Sequence, residues 1–249
     1  MHKAKTLGLR GISITDHDAI LSDEDINYGR NVGLKIIPGI EFSTLYHNVH
    51  IIGYGLSSTN SDLIRFISIE CEKRKIACQK MCERTFKFNI PVSFEEVLKE
   101  KNNIEGALGR PHIAAVMLKK GYVKTSYEAF GKWLGKGRSI YVGYDKFEHS
   151  EIVKKIIGWN GIPVIAHFGL VHNEKVFYDC LSAGLQGIEV YYPRHTSEQT
   201  QHLLELANKN NLLITGGSDF HGVLKPDIRL GDAGLKEADF LKLAKWGRF

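Results

Sequence analysis

The chain has 249 residues, 43% hydrophobic and 24% charged, the balance of a soluble globular protein long enough to bury a sizeable core as one large domain or a domain with an insertion. Its formal net charge of +5 suits anionic substrates and is too small to argue for nucleic acid. No apolar run is long enough to cross a membrane, and the opening MHKAKTLGLRG lacks a signal-peptide core.

Residues 2–7 read as the tail of a helix stopped by Gly8. A strand over 11–14 runs into Thr15-Asp16-His17-Asp18, a set of metal-capable side chains directly after a buried run. A helix over 22–32 follows, capped by Ser22 and stopped by Gly33. The next strand, 34–37, is followed by Glu41 in PGIEFS, where a carboxylate in an apolar setting is costly unless paired or ligated. A further strand, 49–54, carries His50 near its start.

Residues 57–142 change character. Helical patterns over 63–88, 94–101, 111–120 and 126–131 have charged faces and no strand between them, so this stretch reads as a helical insertion. Cys78 and Cys82, four apart on the first of these helices, read as small buried hydrophobes; with Cys71 and Cys180 they form no CxxC pair, which fits a reducing cytoplasm. Gly109-Arg110-Pro111-His112 opens an apolar helix. Pro is expected in a first turn, and Arg110 and His112 there are either an anion site or an exposed cap. Arg74 on the long helix reads by default as part of a solvated face.

From residue 150 strands and helices alternate again: helix 151–159, strand 162–166 with His167 at its end, helix 174–183, strand 187–191, helix 198–210 and strand 212–215. Arg194 and His195 follow the strand at 187–191, and Asp219 and His221 follow the last one in LLITGGSDFHG. This alternation predicts an α/β protein with a parallel sheet or a (β/α) barrel. The glycine-rich phosphate-binding motifs of nucleotide-cofactor folds are absent. Taken singly, Asp16, His17, Glu41, His50, His167, Asp219 and His221 are each ordinary. Five strand-end regions that all offer a carboxylate or imidazole are harder to explain by solvation, and two or three divalent ions held close together need such a set.

In the order TDHD, PGIEFS, VHIIGYG, RPHIA, IAHF and GSDFH, these motifs resemble the PHP (polymerase and histidinol phosphatase) family of metal-dependent phosphoesterases. Within it they are most similar to the branch of nucleoside 3′,5′-bisphosphate phosphatases and 5′–3′ exoribonucleases. The resemblance implies a distorted (β/α)7 barrel made by residues 1–56 and 143–249, with 57–142 as an inserted cap that closes over its mouth. It implies two or three divalent ions, manganese first and iron or zinc otherwise, ligated by His17, Glu41, His50, His167, Asp219 and His221. Substrate phosphate is expected near Arg110 and His112, with Arg74 beside them and Arg194 at the same mouth.

The activity implied is hydrolysis of phosphomonoesters on a nucleotide or at the 5′ end of a short oligoribonucleotide. His17 would serve catalysis as well as ligation, and Asp16 or His195 would protonate the leaving oxygen. Neither a membrane nor an obligate protein partner is expected, and the expected compartment is the cytoplasm. The family also begins with a strand carrying HxH and then a metal-binding Asp, and neither precedes the 2–7 helix here. The expectation is therefore a barrel without its first strand, with unpaired edges, arising from a misplaced start or an incomplete fragment, or else a degenerate paralogue. The alternatives are a histidinol-phosphate or other small-molecule phosphatase and, in another class, a catalytically impaired nucleic-acid-binding or structural module.

Overall fold

The structure is a computed structural model, and it describes residues 1–46, 48–101, 107–171 and 173–246. These divide into two compact units: Met1–Ile64 with Lys146–Gly222 and Pro226–Phe249, and Arg65–Asp145 with Val223–Lys225.

The first unit is built on six strands, β1 Gly11–Ile14, β2 Lys35–Ser43, β3 His50–Tyr54, β4 Ile162–Ile165, β5 Gly187–Tyr191 and β6 Leu213–Gly216, lying in the sheet in sequence order. They form one curled half-barrel sheet. The expected all-parallel pairing holds for β1–β2, β4–β5 and β5–β6, but β3 is antiparallel to both of its neighbours. The difference has a simple cause. Among the described residues the connection from β2 to β3 carries no crossover helix, and without one the chain turns straight back, as parallel strands cannot.

β2 is also longer than the sequence suggested, so Glu41 lies inside the strand rather than after it. Pro38 is what hid this, because a proline within a run argues against a strand. It is tolerated because β2 changes partners there: residues up to Pro38 pair with β1, and residues from Gly39 pair with β3. Gly39 is required at that changeover. A Cβ on it would sit 2.8 Å from Thr15 Cγ2 and 2.9 Å from the Ser13 hydroxyl.

Around the sheet lie α1 His2–Thr6, α2 Asp23–Asn31, α7 His149–Gly158, α8 Glu174–Ser182 and α9 Ser197–Lys209. Local chemistry sets their ends. The Ser22 hydroxyl accepts the Asp25 N–H at 3.0 Å, and Thr196 and Gln199 close a reciprocal capping box at 3.2 and 2.8 Å. A last helix, α10 Glu237–Trp246, was not foreseen, since its stretch lacks a strong cap signal. Its Leu243 and Ala244 are buried with Ile37, Ile52, Ile162 and Val164. Phe240 packs so closely on β1 that a Cβ at Gly11 would collide with its ring. α10 therefore covers the start of β1, β4 and β6, the end of the sheet opposite to where those strands deliver His17, His167 and Asp219.

The second unit is helical. It holds most of α3 Ser61–Phe86, then α4 Phe94–Lys101, α5 Arg110–Lys119 and α6 Ser126–Ala129, the last running on as a π-helical turn over Phe130–Leu134. α5 is buried from His112 to Met117, so it is the unit's central helix and has no polar face. Among the described residues no helix is long and apolar enough to cross a membrane.

Leu243 is 3% exposed, whereas its helix neighbour Leu241 is 46% exposed. Leu243→Ala should cost about 3 kcal/mol by leaving a cavity, and Leu241→Ala no more than about 0.5 kcal/mol. Urea unfolding midpoints of the two variants check this.

Candidate metal centre

The antiparallel β3 explains why a histidine at the start of a strand joins residues from the ends of others. His50 opens β3, and because β3 runs backwards, that end lies beside the carboxyl ends of β2 and β4. Glu41 on β2 faces Ile52 in register, so His50 is its diagonal neighbour on the same face, within reach of a long side chain. His17 follows β1 and forms a parallel bridge with Glu41, with the Glu41 N–H on the Asp16 carbonyl and the Asp18 N–H on the Glu41 carbonyl. His167 follows β4.

Glu41, 6% exposed, is the centre of this arrangement. Its Oε1 lies 2.7 Å from His50 Nδ1 and 3.1 Å from His167 Nε2, and those two nitrogens are 3.2 Å apart. Its Oε2 is 3.8 Å from His17 Nδ1. Ligand atoms of His17, Glu41 and His50 all fall within 4.8 Å of one another.

The protonation states follow from the surroundings. Burial by itself pushes the Glu41 carboxyl up, but the charges of His17 and His50 and hydrogen bonds from His167 and His50 outweigh it and hold it well below the ordinary carboxylate range. Burial is the largest influence on His50 and lowers it. Burial also opposes charge on His167, yet its hydrogen bond to Glu41 and the charges of Glu41, Glu189 and Asp219 leave it raised. An ionised carboxylate and a neutral imidazole are the forms a cation binds, and a cation must displace the proton that the surrounding carboxylates favour on His167. Two ring nitrogens and a carboxylate oxygen about 3 Å apart cannot all be satisfied by one proton, and the mixed N and O donors suit a divalent first-row metal. The residues fit such an ion.

Asp219 and His221 are further out. His221 Nδ1 is 3.2 Å from Asp219 Oδ1, and the His17 and His221 rings lie 6.4 Å apart. Asp219 is reached through Tyr192, whose hydroxyl donates to Asp219 Oδ2 at 3.2 Å. His167 and Asp219 both have positive φ, at 34° and 50°, a conformation that costs non-glycine residues on the order of 1 kcal/mol and is held only by its surroundings.

Two residues of this neighbourhood were missed in the sequence. Glu189, buried in β5, accepts the His167 N–H through Oε2 at 2.7 Å, and burial lifts its carboxyl to about 7. Tyr192 is the other. The signal that drew attention to Glu41, a carboxylate within an apolar run, is equally present in GIEVYY.

The remaining candidates are placed differently. His195 has both ring nitrogens on backbone groups: Nδ1 donates to the Val190 carbonyl at 2.9 Å, and Nε2 accepts the Gly169 N–H at 3.2 Å. So engaged, the ring braces the turn over Phe168–Leu170 rather than standing free to transfer a proton, which departs from the role expected of it. Arg194 is ion-paired with Asp227 at 2.9 Å.

In the helical unit, His112 Nδ1 accepts the Gly109 N–H at 3.2 Å and so caps its own helix. Arg110 lies over the rings of Phe130 and Tyr141, at 5.4 and 5.5 Å, and Arg74 lies 5.8 Å from the Tyr144 ring. Burial first, and then the like charge of Arg74, lower Arg110 from the usual guanidinium range. Like charges that influence each other in this way favour a nearby anion.

No family model matches the chain. It is 28% identical to the 5′-3′ exoribonuclease Rnm of Salmonella typhimurium, over 93% of this chain and 81% of that one. It is also 28% identical to a 3′,5′-nucleoside bisphosphate phosphatase of Chromobacterium violaceum, over 84% of this chain and 76% of that one. Among solved structures, a protein assigned as a metal-dependent phosphoesterase from Bifidobacterium adolescentis matches with a TM-score of 0.89 at 27% identity, covering 98% of this chain and 88% of that one. Together with the buried histidine–carboxylate cluster, these likenesses support a metal-dependent phosphoester hydrolase.

The hydrogen bonds of His195 assign its neutral Nδ1–H tautomer. Nitrogen-15 NMR of histidine-labelled protein at neutral pH should show that tautomer, and an imidazolium pattern for His195 would contradict the assignment.

Proposed function

We propose that this chain hydrolyses phosphomonoesters of nucleotides, with a nucleoside 3′,5′-bisphosphate or the 5′ end of a short oligoribonucleotide as substrate. The single observation that carries the reading is the Glu41-centred cluster, a buried carboxylate with His17, His50 and His167 converging on it. The names of the relatives, an exoribonuclease and a bisphosphate phosphatase, support the substrate class. The reading extends to a PHP-type distorted barrel with the helical unit inserted for substrate recognition.

Glu41, His17, His50 and His167, joined by Asp219 and His221, would hold divalent ions, manganese first among them. When bound, such ions supply Lewis acidity: they lower the pKa of a coordinated water and draw charge from the phosphoryl oxygens. The protein's own residues do the rest. Glu41, ionised and enclosed, sets the charge of the site. Arg74 and Arg110, in the helical unit, are the phosphate-binding groups of this reading. The oxygen of water forms a bond to phosphorus, the ester P–O bond breaks, and the leaving oxygen takes a proton. Asp16 is the residue in this reading that takes the proton the attacking water gives up and passes it to the leaving oxygen, since His195 has both nitrogens engaged.

The test is phosphate release from a nucleoside 3′,5′-bisphosphate with manganese added. Release should stop on chelation and return when manganese is restored. Glu41→Gln and His50→Ala should each lower turnover by at least about 100-fold. Arg110→Ala should raise KM about tenfold while kcat changes less. Release that is indifferent to chelator, or unchanged in Glu41→Gln, would sink the reading.

A further inference from the structure

β5 lies between β4 and β6 in the sheet and sends no side chain into the Glu41 cluster itself. Its neighbours each end in a residue with left-handed backbone, His167 after β4 and Asp219 after β6. Each of these two is held by a side chain of β5 or of the residue directly after it. The Glu189 carboxylate accepts the His167 N–H, and the Tyr192 hydroxyl donates to Asp219 Oδ2. Both holding residues are buried, at 5% and 6% exposure.

The strand has to break its own regularity to do this. Residues 189 and 192 are three apart, and in an unbroken strand side chains an odd number apart point to opposite faces. The pairing of β5 with β6 steps from Glu189–Thr215 to Tyr191–Gly216, two residues on β5 against one on β6. That bulge resets the alternation, as bulges beside functional sites do when they re-aim a side chain. It brings Glu189 and Tyr192 to bear on the same neighbourhood.

We propose that Glu189 and Tyr192 are positioning residues, a bracket on the β5 bulge that holds His167 and Asp219 in the orientation from which they ligate a divalent cation. The inference rests on the metal-site reading above and adds to it two residues outside the set expected to ligate the ion. A merely structural pair would stabilise the fold whether or not metal is bound. A bracket sets how tightly metal binds.

The test measures manganese affinity by calorimetry on the whole chain, alongside the melting temperature of the metal-free protein. Glu189→Leu removes the acceptor of the His167 N–H and should weaken manganese binding about 10- to 100-fold. Glu189→Gln keeps an acceptor oxygen and should bring the affinity back to within about threefold of the parent, since the N–H···O contact is retained. Tyr192→Phe removes one oxygen from an otherwise intact side chain and should weaken binding about tenfold, so the proposal stays open to test even if the leucine variant does not fold.

Weakened binding at an unchanged metal-free melting temperature, with rescue by glutamine, supports the bracket. Parent-like affinity in both Glu189→Leu and Tyr192→Phe overturns it and leaves the metal site standing. A parent chain that takes up no manganese overturns the metal reading and the bracket with it.

Discussion

A carboxylate shut away from water must be balanced by charge or hydrogen bonds, and Glu41 organises the first unit around that need. Its two oxygens face three imidazoles delivered by three different stretches, after β1, at the head of β3 and after β4. Removing any one of them would leave a buried charge less compensated, at a penalty that exceeds most single packing contacts. The strand that carries Glu41 is correspondingly enclosed, with Ile37, Ile40 and Phe42 wholly buried. The same packing that stabilises β2 therefore fixes where the carboxylate sits.

The two ends of the curled sheet are treated differently. At one end α10 packs Phe240 onto Gly11 and buries Leu243 and Ala244, giving an apolar plug. At the other, the chain leaves the strands in backbone conformations that only local hydrogen bonds can hold, and the ionisable side chains gather there. Stability and chemistry are thus separated along the strand direction, as is general for α/β folds whose sites lie beyond the carboxyl ends of parallel strands. β3 obeys the same geometry while running the other way, which is why its contribution, His50, comes from its first residue.

The helical unit has its own logic. α5 is buried all round, and the residues at its start do two separate jobs: His112 caps the helix, while Arg110 lies on aromatic rings near a second guanidinium. Cations arranged in this way gain from an anion.

Much of this was legible in the chain itself. The strands over Gly11–Ile14 and Gly187–Tyr191 and the helix over Phe94–Lys101 follow from short-range pattern, because alternation, caps and helix stops act within a few residues. Asp16, His17, Glu41 and His50 stood out because polar residues beside apolar runs are costly, and that cost is visible locally. The direction of β3, the passage of β2 through Pro38, the plug made by α10 and the engagement of both His195 nitrogens were not visible. Each depends on which distant segment supplies a partner. Glu189 and Tyr192 show the distinction most clearly: local pattern marks a buried carboxylate in a strand, but only the bulge against β6 decides that Tyr192 is turned to the same neighbourhood, because a one-residue change of register turns every later side chain to the other face.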